Sequence, residues 1–403
     1  MKAGTACKGT LILRYELLVL TMTHMLTHLF HDVHLVLFLL IRNEFNLSLK
    51  QLGAIAAVPS LCQVLVSIPA GLLTDRFGSK MIIIMSLCIA ALGSMIAGQT
   101  LNPVMLTIAI SLVYMSITIY HSSSYSFITK LFRHREISKA LGIQDIGGNF
   151  GTAIGPISVS LLMGLFSFGW RQVYLFWSVP ILLGILGVLR LQSRPTKYVK
   201  MDAPEEAEPQ PQSDSVFTTN LAFFLVFLAL KAFASQMVRV FLPIYLVDEK
   251  GLTETLSSLI YGSGALMGIV GAPMGGFLAS RFGEKKWMLI VLPIAYASLG
   301  LAAVIPNVVA FIILYLLYEF CNTLTMSVNS ALMAQLAPNR RRGLGYSLYF
   351  LPISLMGVAA PIITANFADI FGLTSIFLIA LAIYVLALAL LKLGVKIPAP
   401  PIK

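Results

Sequence analysis

The chain has 403 residues, 58% of them hydrophobic and only 11% charged, with a mean hydropathy of +0.87. A soluble domain is nearer half apolar and a quarter charged, so this composition excludes a soluble enzyme, a secreted disulfide scaffold and a disordered chain. Lipid is the solvent it implies. The formal charge of +11 raises nucleic acid as a partner, but the basic residues form no single face, and no nucleic-acid partner is expected. The four cysteines (Cys7, Cys62, Cys88 and Cys321) form no CxxC pair, so neither a zinc site nor a disulfide framework is indicated.

In chain order, apolar stretches of spanning length run over 11–41, 50–73, 80–99, 104–130, 140–166 and 170–191. A second set runs over 219–247, 256–280, 285–304, 307–333, 342–367 and 373–393. Their lengths predict helices, because a membrane-spanning strand needs only ~10 residues of alternating pattern. Between the sets, 192–218 carries Pro195, Pro204, Pro209, Pro211, Glu205, Glu206 and Glu208 and reads as a flexible cytoplasmic linker. The prediction is an all-α membrane protein of 12 transmembrane helices in two pseudo-symmetric six-helix halves, 1–191 and 219–403. Lys2, Lys8 and Arg14 precede the first stretch in the manner of a signal peptide, but the apolar run continues for a full span, so an uncleaved first helix is expected. If the N-terminus is cytoplasmic, 22 of the 28 Lys and Arg fall on the cytoplasmic side. Four (Arg42, Lys50, Arg171, Lys250) fall outside and two (Lys231, Arg239) within spans. That bias is the positive-inside pattern and predicts a cell (inner) membrane protein with both termini cytoplasmic.

The loop after the second span reads GLLTDRFGSK (Gly71–Lys80), and the loop after the eighth reads GFLASRFGEK (Gly276–Lys285). The two align at an offset of 205, which also carries Gly155-Pro156 onto Ala360-Pro361. One offset at two distant points indicates a duplicated six-helix unit, and two such halves are expected to enclose a midplane cavity.

Over essentially its whole length the chain resembles the major facilitator superfamily, whose signature loop between the second and third helices GLLTDRFGSK matches. The resemblance implies two halves in alternating access, with Asp75, Arg76 and Lys80 latching their cytoplasmic ends and Arg281 and Lys285 as the second, weaker copy, where Ser280 replaces the aspartate. In the fifth span, GIQDIGGNFGTAIGP resembles the glycine–proline pattern of the superfamily's antiporters, although Val159-Ser160 stands where two glycines are usual. Gly151, Gly155, Pro156 and Pro361 are assigned to helix packing. HLFHDV, YHSSSYS and GGNFGTAIGP resemble, more narrowly, segments of fosmidomycin-resistance-like exporters, with Ser122, Ser123 and Ser124 where that group carries an acidic residue.

Ionisable residues within spans are costly and mark function by default. Asp32, Asp145, Lys231, Arg239 and Glu319 are the five, and complete internal pairing among them is the structural alternative. His24, His28 and His31 lie at i, i+4 and i+7, with Asp32 four beyond His28, so the four share roughly a third of a helix circumference. Asp32 is assigned as proton carrier with His28 or His31 as partner; a plain polar stripe and a transition-metal route through the imidazoles are the alternatives. Lys231 and Arg239 suggest an anionic group on the cargo, and the offset pairs Arg239 with His34. Tyr114, Tyr120, His121, Ser124, Tyr125, Asn149 and Asn322 could complete a polar lining, alongside His24, His34, Lys231, Arg239 and Glu319, while Phe223, Phe224 and Phe227 are expected to face lipid.

These features predict a proton-coupled antiporter that exports a small, anionic organic compound. The alternatives are proton-coupled uptake of an organic anion, a histidine-dependent metal or metal-complex transporter, and, in a different class, a non-transporting membrane sensor or partner protein. There is no GxxxxGK[ST] stretch to cradle nucleotide phosphates and no nucleophile–base constellation, so no enzyme is expected. No cofactor or bound metal is assigned. The expected partners are the bilayer, protons and a small-molecule substrate, with the chain a monomer.

Overall fold

The computed structural model describes residues 6–131, 134–191, 218–336 and 342–396. Most of the 192–218 linker therefore lies outside the described residues. The helices are α1 (Ala6–Phe45), α2 (Leu49–Phe77), α3 (Ser79–Gly98), α4 (Pro103–Leu131), α5 (His134–Phe166), α6 (Trp170–Leu189) and α7 (Thr219–Asp248). They continue as α8 (Glu254–Phe282), α9 (Glu284–Val304), α10 (Val308–Thr323), α11 (Met326–Leu336), α12 (Arg342–Phe371) and α13 (Thr374–Gly394). Among the described residues there is no strand, and twelve segments are long and apolar enough to cross a membrane. Hydrocarbon offers no hydrogen bonds, so a chain of this composition must satisfy its backbone internally, and helices do so. On α2, Leu65, Ile68 and Leu72 are each about two-thirds exposed or more, an outward apolar stripe suited to lipid.

Twelve spans come from thirteen helices because the tenth span (Val308–Met333) is broken at Leu324 and Thr325. No proline marks the break; it falls in Cys321-Asn-Thr-Leu-Thr, where hydroxyls compete for backbone groups. The freed groups are satisfied locally. Thr325 donates from both its amide and its hydroxyl to the Asn322 carbonyl, at 3.1 and 2.8 Å. The Trp287 indole donates to the Leu324 carbonyl at 3.2 Å.

The helices pack into two compact units. The first holds the described residues of 1–32, 65–155 and 168–214; the second holds those of 33–64, 156–167 and 215–403. In the first unit, α3 packs against α4 and α6. There α5 lies directly on α1, because Gly147, Gly151 and Gly155 present bare backbone to the carbonyls of Thr21, Met25 and Leu29. At Gly155 a Cβ would stand 2.6 Å from the Leu29 oxygen, so any side chain would drive the helices apart. In the second unit, α7 packs against α12 and α13, and α9 against α10. Here too the Arg42 guanidinium pairs with Asp248 at 2.6 Å and Lys50 with Asp369 at 3.4 Å. A Cβ at Gly53 would meet the Pro361 carbonyl oxygen at 2.7 Å.

Two of the three α7 aromatics expected to face lipid are buried instead. Phe224 and Phe227 are fully buried and stacked, with ring centroids 5.9 Å apart, whereas Phe223 is exposed, in keeping with a lipid-facing position. Residues three apart share a helix face, and on α7 that face is covered by its neighbours in the second unit.

The duplicated loops adopt matching conformations. Gly78 and Gly283 have φ/ψ of 84°/147° and 85°/138°, a region almost reserved for glycine. Lys80 donates to the carbonyls of Leu189 and Leu191 at 2.8 and 2.7 Å; Lys285 donates to those of Lys392 and Val395 at 2.9 and 2.6 Å. Each lysine thus caps the C-terminal end of the last helix in its own unit. Gly78→Ala and Gly283→Ala should each cost about 1–3 kcal/mol, read as a lowered melting temperature in detergent. Gly142→Ala, inside α5 with nothing near the new methyl, should not lower it.

Candidate functional sites

Each unit holds one polar constellation. In the first unit it is built from α1, α4 and α5. The glycine contact of α5 on α1 brings the Gln144 carbonyl to the Nδ1 of His24, which donates to it at 2.7 Å. The Gln144 side chain is buried and donates to Ser124 Oγ at 2.8 Å. His121 of α4 donates from Nδ1 to the Ile117 carbonyl of its own helix at 2.9 Å. The Nε2 atoms of His24 and His121 then stand 3.0 Å apart, and those of His28 and His121 3.2 Å apart. Tyr120 stacks parallel to the His24 ring, at 5.7 Å, and its buried hydroxyl is shared with Thr23 and the Leu20 carbonyl. Tyr125 donates to Asp145 at 3.0 Å.

The histidine stripe on α1 therefore divides. His24 and His28 turn toward His121, whereas His31 turns to its neighbour: its Nδ1 donates to Asp32 Oδ1 at 2.8 Å, and its ring stacks on Tyr114 at 4.3 Å. The Asp32 side chain is fully buried and that of His31 is 21% exposed. The pair is thus a buried carboxylate in hydrogen-bond contact with a partly exposed imidazole. Asn149, on α5 of this unit, is half-buried.

The second unit carries the other constellation. Lys231, buried on α7, donates from Nζ to Thr325 Oγ1 at 2.7 Å, at the break between α10 and α11. Arg239 donates from Nε to the Tyr261 hydroxyl of α8 at 2.8 Å. Glu319 on α10 accepts from the Tyr315 hydroxyl one turn before it and feels the charges of both Arg239 and Lys231. Beyond it, Tyr318 and Tyr384 share a hydrogen bond of 2.6 Å, and Tyr384 another of 2.7 Å with Ser235. The Asn322 side-chain oxygen is buried and finds no hydrogen-bond partner among the described residues. His34 belongs to this unit, buried, with its ring edge to Phe38 at 5.3 Å.

Gln144, Tyr261, Tyr315 and Thr325 complete these constellations without having been singled out from sequence. A polar side chain inside a spanning segment was the available signal for each. Asp75, Arg76 and Arg281 are exposed at the loop ends of α2 and α8, and Lys80 and Lys285 make the caps described above.

The sequence profile of the Major Facilitator Superfamily matches residues 20–295 and 221–403. The chain is 24% identical over 349 residues to the probable nitrate transporter NarT of Staphylococcus epidermidis, covering 85% of this chain and 86% of that one. It is 22% identical over 307 residues to the fosmidomycin resistance protein of Escherichia coli K12, covering 73% and 74%. With the hexuronate transporter of Bacillus subtilis it shares 23% identity over 348 residues, covering 82% of each. Among solved structures, a bacterial homologue of the human lysosomal transporter Spinster, inward-facing and occupied, superposes with a TM-score of 0.82 at 18% identity, covering 94% and 96%. A variant of the nucleoside transporter NupG does so with a TM-score of 0.75 at 15% identity, covering 96% and 100%. These two share the fold.

Proposed function

The chain belongs to the Major Facilitator Superfamily, and from that premise we propose that it is a proton-coupled antiporter exporting a small organic anion by alternating access. It is a multi-pass membrane protein and a transporter, not an enzyme. The observation that carries the coupling is the Asp32–His31 pair, a fully buried carboxylate whose imidazole partner is partly open. In this reading Asp32 takes up the coupling proton, and His31 orients it and passes the proton on; His28, the other assigned partner, stands one turn away. Lys231, Arg239, Glu319 and Asn322, together with Tyr120, His121, Tyr125, Asn149, His24 and His34, serve the cargo.

An anionic cargo is supported by two cations inside one span, and by relatives named for nitrate and hexuronate, both anions. Asp75, Arg76, Lys80, Arg281 and Lys285 serve the gate, and the functional halves are 1–191 and 219–403. In this reading the protein works as a monomer in the inner cell membrane; the distribution of its basic residues supports placing both termini in the cytoplasm. A stability screen on the purified protein at several pH values tests the cargo class, because a ligand that binds only the native state raises apparent stability by mass action, by ~2.7 kcal/mol at a hundredfold excess over Kd. Organic carboxylates, phosphonates or phosphates should raise the melting temperature, and their neutral isosteres should not. Stabilisation by neutral or cationic compounds alone would refute the anionic assignment.

A further inference from the structure

The three imidazoles of the first unit pose a problem of lone pairs. A carbonyl oxygen can only accept, so the contacts to Gln144 and Ile117 place the ring hydrogen on Nδ1 of both His24 and His121. A neutral imidazole carries one ring hydrogen. The Nε2 atoms of both rings therefore present lone pairs to each other across 3.0 Å. His28 brings a third nitrogen to the same point, its Nε2 3.2 Å from that of His121, while its Nδ1 stands 3.4 Å from the Thr152 hydroxyl, which can accept its hydrogen. A positive charge at the centre satisfies such an arrangement. A proton bridges one nitrogen pair and leaves the third nitrogen out, whereas one metal ion satisfies all three.

We propose that His24, His28 and His121 hold a divalent transition-metal ion of the zinc, cobalt and nickel class on their Nε2 atoms. The candidate ligand atoms all lie within 4.8 Å of one another. Zinc–imidazole bonds of about 2.0–2.1 Å at tetrahedral angles set nitrogens about 3.3–3.4 Å apart, so the observed 3.0 and 3.2 Å need to open by only a few tenths of an ångström. The rings stand edge to face, at interplanar angles of 83°, 89° and 89°, which lets three nitrogens converge without the rings colliding. The two Nδ1–H to carbonyl bonds are the outer support that metal-binding histidines ordinarily have, fixing tautomer and ring direction. Three imidazoles without a thiolate favour borderline metals over magnesium or calcium. The fourth position is left for water or an oxyanion. Gly148 keeps the pocket accessible to an ion, since a Cβ there would fall 2.8 Å from His24 Cε1 and 3.2 Å from its Nε2. This inference goes beyond the transport reading and does not depend on Asp32.

The test uses the full chain, purified in detergent and stripped of metal with a chelator. Titration with Co2+ alone should show saturable uptake of one ion per chain with the visible absorption of low-coordinate cobalt, and Zn2+ should displace it. His24→Gln and His121→Gln should each weaken uptake at least tenfold, and His34→Gln, in the other unit, should leave it unchanged. Cobalt that fails to bind stoichiometrically, or binds equally well to the His24→Gln/His121→Gln double variant, overturns the proposal. If the variants do not fold, X-ray absorption of cobalt-loaded wild-type protein decides: a shell of three imidazoles supports the site, and a shell with one or none overturns it. A bridging proton in place of a metal gives no cobalt uptake and so counts as a refutation. None of these measurements uses flux, so failure here is distinct from failure of the transport reading.

Discussion

Flux driven by a pH gradient is expected to fall to background in Asp32→Asn, while the protein remains folded and monodisperse. The substitution keeps the shape of the side chain and an oxygen able to accept from His31 Nδ1, so the 2.8 Å contact can persist. What it removes is the ability to carry a proton. The Asp32 side chain is fully buried, and a buried charge must be matched or discharged. A transporter whose state is biased by that protonation loses its drive when the group can no longer titrate. Exchange of cargo for cargo across proteoliposomes needs no net proton movement and should persist in the variant. Retained pH-driven flux at the wild-type rate would remove Asp32 from coupling, and loss of both activities together would make its role structural.

The second large effect is expected at Lys231. Hydrogen bonds to charged groups contribute roughly 1.5–3 kcal/mol, so Lys231→Ala should weaken binding of an anionic cargo by about ten- to a hundredfold. A neutral isostere of the same cargo should lose less than about threefold, the level of a surface-like change. The Thr325 hydroxyl that accepts from Lys231 also donates to the Asn322 carbonyl at 2.8 Å, so the break between α10 and α11 keeps its local support without the lysine. Binding measured by thermal stabilisation against both ligands separates the two roles. Equal losses for the two would mean that Lys231 chiefly balances Glu319, whose carboxyl feels its charge.

The spans were legible in the sequence because hydrocarbon demands long apolar runs, and the duplicated loops because a glycine-only conformation and a lysine cap leave residues that cannot be exchanged freely. Gly78/Gly283 and Lys80/Lys285 show this directly, each pair at the same offset and in the same role. The histidine stripe was legible as a stripe, from its periodicity on α1. Its division was not, because periodicity shows which residues share a face but not what stands opposite. His121 lies more than ninety residues away in sequence from His24 and His28, and only the packing of α1, α4 and α5 brings it to them. The break in the tenth span was hidden for a related reason: apolar residues continue across Leu324, so hydropathy shows one uninterrupted run. Phe224 and Phe227 misled because lipid and protein interiors select the same residues.

The twin lysine caps bear on how the chain could be divided. Leu191, the last described residue before the linker, is already fastened by Lys80, and on the far side the Asn220 side chain exchanges two hydrogen bonds with the backbone of Lys396, at 3.0 and 3.1 Å. A cut within 192–217 would sever neither fastening, so proteolytic nicking there should leave the ends of α6 and α7 anchored as firmly as in the intact polypeptide.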